Sequence, residues 1–170
     1  MAISIYDQSI TAISRALTSL ASIVTKAEAH AEEHGIEHAA LLNARLFPDM
    51  HGFIKQIQIA SDTAKGGAAR LAGVEIPSWE DDETSFADVR ARIQKTLDFL
   101  AEIDPASLEG AESREVEIKY TGGSAKMDGK SHLLDFVLPN LYFHITTAYN
   151  ILRHNGVVIG KRDYLGMSGN

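Results

Sequence analysis

Residues 139–156 read PNLYFHITTAYNILRHNG, and their spacing predicts a helix. Leu141, His144, Ala148 and Ile151 recur at intervals of three or four and so share one face. Asn155-Gly156 makes a good left-handed terminus. Pro139 has no N–H to donate, so the apolar run that starts near Ser131 must kink or locally break before the helix continues. His144 is the unusual residue on the inward face. A buried imidazole needs partners for its ring nitrogens. Asn140, one turn earlier on the same side, or a main-chain carbonyl can supply one. The functional alternative is a metal ligand or general base lining a cavity between helices, where bundles build their sites.

Three further helices precede this one. Ile10, Ile13, Leu17, Leu20 and Val24 form the seam of a long helix that runs to about Glu33 and is broken by Gly35. After a short turn in ALLNARLFP, Pro48 and Asp49 are expected to open a second helix. Its inner face is Met50, Ile54, Ile57, Ser61, Ala64, Ala68 and Leu71. Gly66 and Gly67 interrupt it, either as a close helix contact or as weak last turns, and Gly73 and Pro77 end it. The acidic stretch SWEDDETS (residues 78–85) reads as a solvated linker. Thr84 or Ser85 then caps a third helix with Phe86, Val89, Ile93, Leu97 and Leu100 inward, closed by Pro105. In residues 112–130 the period changes to two: Val116, Ile118 and Tyr120 alternate with charged residues ahead of Thr121-Gly122-Gly123, a small hairpin that returns over Ala125–Asp128. The expected fold is therefore all-α, a four-helix bundle in one domain over residues 1–170, with a hairpin in the long connection between the third and fourth helices. The tail VVIGKRDYLGMSGN should pack through its first half, with its last few residues mobile.

Composition narrows the function classes. The chain has 170 residues, 45 % hydrophobic and 23 % charged, enough to bury a substantial core. It has no cysteine, which removes disulfides, thiolate metal sites and cysteine nucleophiles and fits a reducing cytoplasm. The formal net charge is −7 and the 16 Lys and Arg are scattered, which disfavours nucleic acid as a partner. No apolar run is long enough for a membrane span, and the N-terminus lacks the pattern of a signal peptide. A homodimer paired through an exposed helix face is expected.

Other chemistry-bearing residues weigh less. His30, His34 and His38 have the i, i+4, i+8 spacing of a metal-binding face, but Gly35 falls inside the set and Glu32, Glu33 and Glu37 surround it, as at a solvated helix end. His51 falls in the expected first turn of the second helix, and its interest depends on what faces it. Lys65-Gly66-Gly67 and Gly160-Lys161 lack the remaining glycines of a phosphate-binding loop. Ser61 and Lys65 stand one turn apart with no oxyanion feature, and Tyr142-Phe143 reads as core.

The run PNLYFHITTAYNILRHNGVVIGKRDYLG, together with ARLFPDM, QIQIASDTAKG and RLAG, resembles a family of bacterial domains of unknown function within the DinB-like superfamily, over almost the whole chain. The resemblance implies a four-helix bundle with an unusual connection order. Many members of that superfamily hold a divalent metal, often nickel or zinc, through three histidines, one on the second helix and two spaced by four on the last. Characterised relatives include thiol-dependent transferases and hydrolase-like enzymes. Carried onto this chain, His144 matches the second histidine of the last-helix pair, with Leu152-Arg153 following at the superfamily's distance. The first falls at Asn140, a poor substitute for imidazole on nickel or zinc. His51 is the candidate second-helix ligand. Two readings follow. In one, the protein is a metal-dependent enzyme of transferase or hydrolase type acting on a small molecule or thiol, with the metal at His144, His51 and Asn140. In the other, it is a metal-free bundle that binds a small ligand or serves as an interaction module.

Overall fold

The computed structural model describes residues 4–167. Its helices are α1 (Ala12–His34), α2 (His38–Leu42), α3 (Phe53–Ala72), α4 (Phe86–Ala101), α5 (Gly129–Ser131), α6 (Leu138–His154) and α7 (Lys161–Tyr164). Strands β1 (Glu115–Tyr120) and β2 (Gly123–Asp128) come between α4 and α5. The long helices α1, α3, α4 and α6 pack on one another, α3 against both α4 and α6, and α1 against the same two. The expected apolar seams meet in one cluster: Ile13, Leu17 and Leu20 from α1, Ile57 and Leu71 from α3, Val89 and Ile93 from α4, Leu141 and Ile151 from α6. No helix among the described residues is long and apolar enough to cross a membrane. The terminal residues expected to be mobile, 168–170, lie outside the described residues.

Helix ends follow their capping chemistry. Gly35 closes α1 with φ 61° and Gly73 closes α3 with φ 71°, both in the left-handed region that glycine enters without a Cβ penalty. Ser85, not Thr84, is the N-cap of α4, in a reciprocal capping box with Asp88. The second long helix starts later than its proline predicts. Pro48 and Asp49 sit in a turn, and α3 begins at Phe53, whose N–H donates to the Ala44 carbonyl at 2.9 Å. Phe53 is fully buried, and it takes the core position expected of Met50 because its larger apolar surface gains more from burial.

The irregularity attributed to Pro139 lies before it. Residues His132–Val137 are π-helical and run directly into α6, so the widened turn just before Pro139 accommodates the hydrogen bond that its missing N–H cannot make. Beside this segment the two glycines of α3 separate in meaning. A Cβ on Gly66 would meet only the mobile end of Arg70, at 2.8 Å. A Cβ on Gly67 would lie 2.7 and 2.8 Å from the two methyls of Val137. Gly67→Ala is therefore expected to cost about 1–3 kcal/mol through overpacking. Adding Val137→Ala makes room, so the double variant should melt above the value expected from additivity. Simple additivity in thermal denaturation would refute the contact.

The hairpin pairs Val116 with Met127 and Ile118 with Ala125, and the return strand starts at Gly123 rather than Ala125. Val116 is buried, while Glu115, Glu117, Lys119 and Lys126 are exposed. Two readings on the surface change. Tyr142 and Phe143, expected in the core, face outward, with Phe143 58 % exposed. The inward face of α6 is taken by Leu141, His144, Ile145 and Ala148, and the helical period that turns these positions in turns 142 and 143 outward. The acidic stretch 78–85 is, as expected, a largely exposed connection between α3 and α4, but it is not loose. It is tied across α3 and α4 by ion pairs of Arg92 with Asp81 and Glu83, of Lys55 with Asp81, and by the Gln58 amide on Glu83.

Candidate functional site

The α3–α6 contact positions the residues that sequence singled out. Gln56 faces His144 and Thr63 faces Asn140, so later residues of α3 meet earlier residues of α6 and the two helices run antiparallel. With α3 starting at Phe53, Gln56 falls on the same stripe as Ile57, Ala60 and Ala64 and is buried among them.

Gln56 orders the site. Its Nε2 donates to the His51 carbonyl at 3.0 Å, which leaves Oε1 as the atom facing His144 Nδ1 at 2.7 Å. An amide oxygen only accepts, so Nδ1 of His144 carries the proton and Nε2 holds a lone pair. Among the described residues Nε2 has no partner, and it is not one of the enclosed atoms that lack one, so it keeps contact with solvent. The residue as a whole is 9 % exposed. Burial, and after it the charge of nearby His51, hold the ring below the ordinary histidine pKa, which keeps it neutral as an acceptor. The Phe143 ring stands edge-on to it at 5.2 Å between centroids.

Of the three expected site residues, His51 lies near enough to His144 for its charge to act on that ring. His51 precedes α3, is exposed, and touches the site through its main-chain carbonyl. Asn140 does not bond His144, as expected of it. Its Nδ2 donates to Thr63 Oγ1 at 2.9 Å, because the α3 residue opposite each α6 position decides the partner. The donor set does not fit a nickel or zinc ion held by three protein ligands: Asn140 offers an amide that is already bonded to Thr63, and His51 is exposed and meets the site through its main-chain carbonyl, which leaves Nε2 of His144, with its Nδ1–H on Gln56, as the one imidazole nitrogen among the described residues turned to a ligand there. Among the described residues no three His, Cys, Asp or Glu side chains group as a metal site. The His30, His34, His38 set also separates. His30 and His34 stack on α1 at 4.2 Å, while His38 opens α2 and packs edge-on to Phe86.

Besides Gln56, sequence reading missed His132 and Arg92 as buried polar residues. His132 is fully buried in the π-helical segment, with both ring nitrogens unpartnered, and burial followed by the Arg70 charge lowers its pKa to about 4. Arg92 is 4 % exposed at the centre of the acidic strap. The signal for each was its place on a core stripe: Arg92 stands one turn from Val89 and Thr96, and His132 adjoins Leu133.

The comparisons agree with this fold. A family model described as a domain of unknown function, DUF1993, matches residues 5–165. A solved structure of a DinB family member protein from Shewanella denitrificans is 42 % identical, with a TM-score of 0.89 over 97 % of this chain and 94 % of that one. No curated protein matches. The chain is a DinB-like protein and belongs to the DUF1993 family of domains of unknown function.

Proposed function

We propose that this DinB-like four-helix bundle binds a small polar molecule at the α3–α6 face, without a metal, and that Nε2 of His144 accepts the hydrogen bond that holds it. The observation that carries this reading is the Gln56 bridge, which fixes one tautomer of a neutral ring and turns its lone pair outward. A neutral imidazole with an outward lone pair suits a hydroxyl, amide or thiol donor. The metal-dependent transferase or hydrolase reading draws on the superfamily resemblance, and the amide at position 140, bonded to Thr63, together with the exposed His51 count against it.

Two measurements test the proposal. Ring nitrogen shifts should report His144 as the Nδ1–H tautomer, titrating below the usual histidine range. Dialysis against nickel or zinc should load no more metal on the wild type than on His144→Leu. Stoichiometric, His144-dependent uptake that raises the melting temperature would overturn the proposal. So would the absence of any His144-dependent shift across a set of low-mass alcohols, amides and thiols.

A further inference from the structure

A cavity lies on another side of α6, away from His144. It measures about 400 Å³ and opens between α1, α6 and α7. Its lining includes Ala12, Arg15 and Ala16 of α1, Tyr142 and Ile145 of α6, and Tyr164 of α7. That volume is within the range of small-molecule sites, and so is the mixture of an apolar floor with a few polar groups. The α7 wall is held firmly: Asp163 pairs with Lys26, Asp163 Oδ2 accepts from the Gly160 N–H at 2.7 Å, and the Tyr164 ring packs edge-on to Tyr149 at 6.1 Å.

The polar groups of this cleft are mostly donors. Arg15 makes no ion pair among the described residues, and its one hydrogen bond, from Nη2 to the Leu165 carbonyl, is a long 3.4 Å. The Tyr142 hydroxyl has no hydrogen-bond partner among the described residues, and burial, ahead of the neighbouring Tyr164, raises its pKa, so it stays a protonated donor. The Tyr164 hydroxyl accepts from Thr146 Oγ1 at 3.0 Å, which leaves its own O–H free to donate. A cation and two hydroxyl donors around an apolar floor call for an oxyanion attached to an apolar body. Asp7 is the remaining charged residue of the lining, and it disfavours a second negative charge.

We infer that the α1–α6–α7 cleft binds a small monocarboxylate with an aromatic or aliphatic body, its carboxylate on Arg15 and the two tyrosines and its body against Ala12, Ala16 and Ile145. The site is separate from the His144 face, so either can fail without the other.

The test is amide-resolved NMR of the full chain titrated with 3-phenylpropionate and with its neutral twin, 3-phenylpropionamide. Saturable shifts are expected at Tyr142, Tyr164 and Leu165, with a Kd on the order of 1 mM for so small a ligand. The neutral twin should bind about tenfold more weakly. Arg15→Gln should lose a similar factor while its melting temperature stays unchanged, since Arg15 is exposed. His144→Leu should bind as the wild type does. Equal binding of acid and amide, unchanged binding by Arg15→Gln, or no saturation by about 10 mM would each overturn the proposal.

Discussion

Arg92→Leu is expected to destabilise the protein by about 3–5 kcal/mol, the usual cost of removing one partner from a buried charge network. The guanidinium is the hub of the strap formed by residues 78–85. Its Nη1 lies 3.0 Å from Glu83 Oε1, 3.0 Å from Asp81 Oδ1 and 2.8 Å from the Glu80 carbonyl, and Nη2 lies 2.9 Å from Asp62 Oδ1. Leucine fills some of the volume but leaves Glu83, itself mostly buried, with only the Gln58 amide at 2.7 Å. Arg92→Lys should recover only part of the loss, because a single ammonium cannot span acceptors on both sides of the fork. Urea denaturation would measure both variants. The loss should persist in high salt, since buried pairs are little screened. A leucine variant as stable as the wild type would show that the strap contributes nothing to the fold.

His132→Leu is expected to do the opposite. At neutral pH the wild type buries an imidazole whose two nitrogens have no partner, and removing them should stabilise by about 1–3 kcal/mol. The second effect depends on pH. Folding lowers the pKa of His132 from an ordinary 6.5 to about 4, so between those values the unfolded chain binds a proton that the native chain does not. Stability from this group is complete above pH 6.5 and falls as pH drops toward 4, by about 3 kcal/mol over the full window. His144 shifts in the same direction and adds to the decline. Melting curves from pH 7.5 to 4 should show a shallower acid slope for His132→Leu than for the wild type. Parallel slopes would mean that His132 finds a partner in solution.

How much was legible in the sequence depended on whether a position answered to its neighbours or to a distant segment. The helix seams were readable because Leu17, Leu20 and Val24, or Val89 and Ile93, repeat with the helix period. The late start of α3 was not, since it depends on the Ala44 carbonyl capturing Phe53 rather than on Pro48. For the site, the outward-looking chemistry of His144 was visible as a lone imidazole on an apolar face. Its partner was not: Gln56 looked like an ordinary polar residue until α3 was placed against α6, 88 residues away in sequence. The strap was legible only in part, for a related reason. SWEDDETS resembles a solvated linker in composition, and only Arg92, Lys55 and Gln58 on the helices beneath it reveal why so many carboxylates are there.

The two-stranded ribbon has two open borders, and its side chains answer for both. β1 and β2 pair only with each other, so each leaves an outer row of main-chain groups with no strand beside it. Such rows template strand addition and aggregation unless side chains oppose it. Here Lys119 and Lys126 stand among Glu115 and Glu117, with Lys126 held to Glu115 at 2.7 Å. An incoming strand would have to desolvate these charges without meeting an apolar face. The ribbon therefore guards its own borders against edge-to-edge pairing.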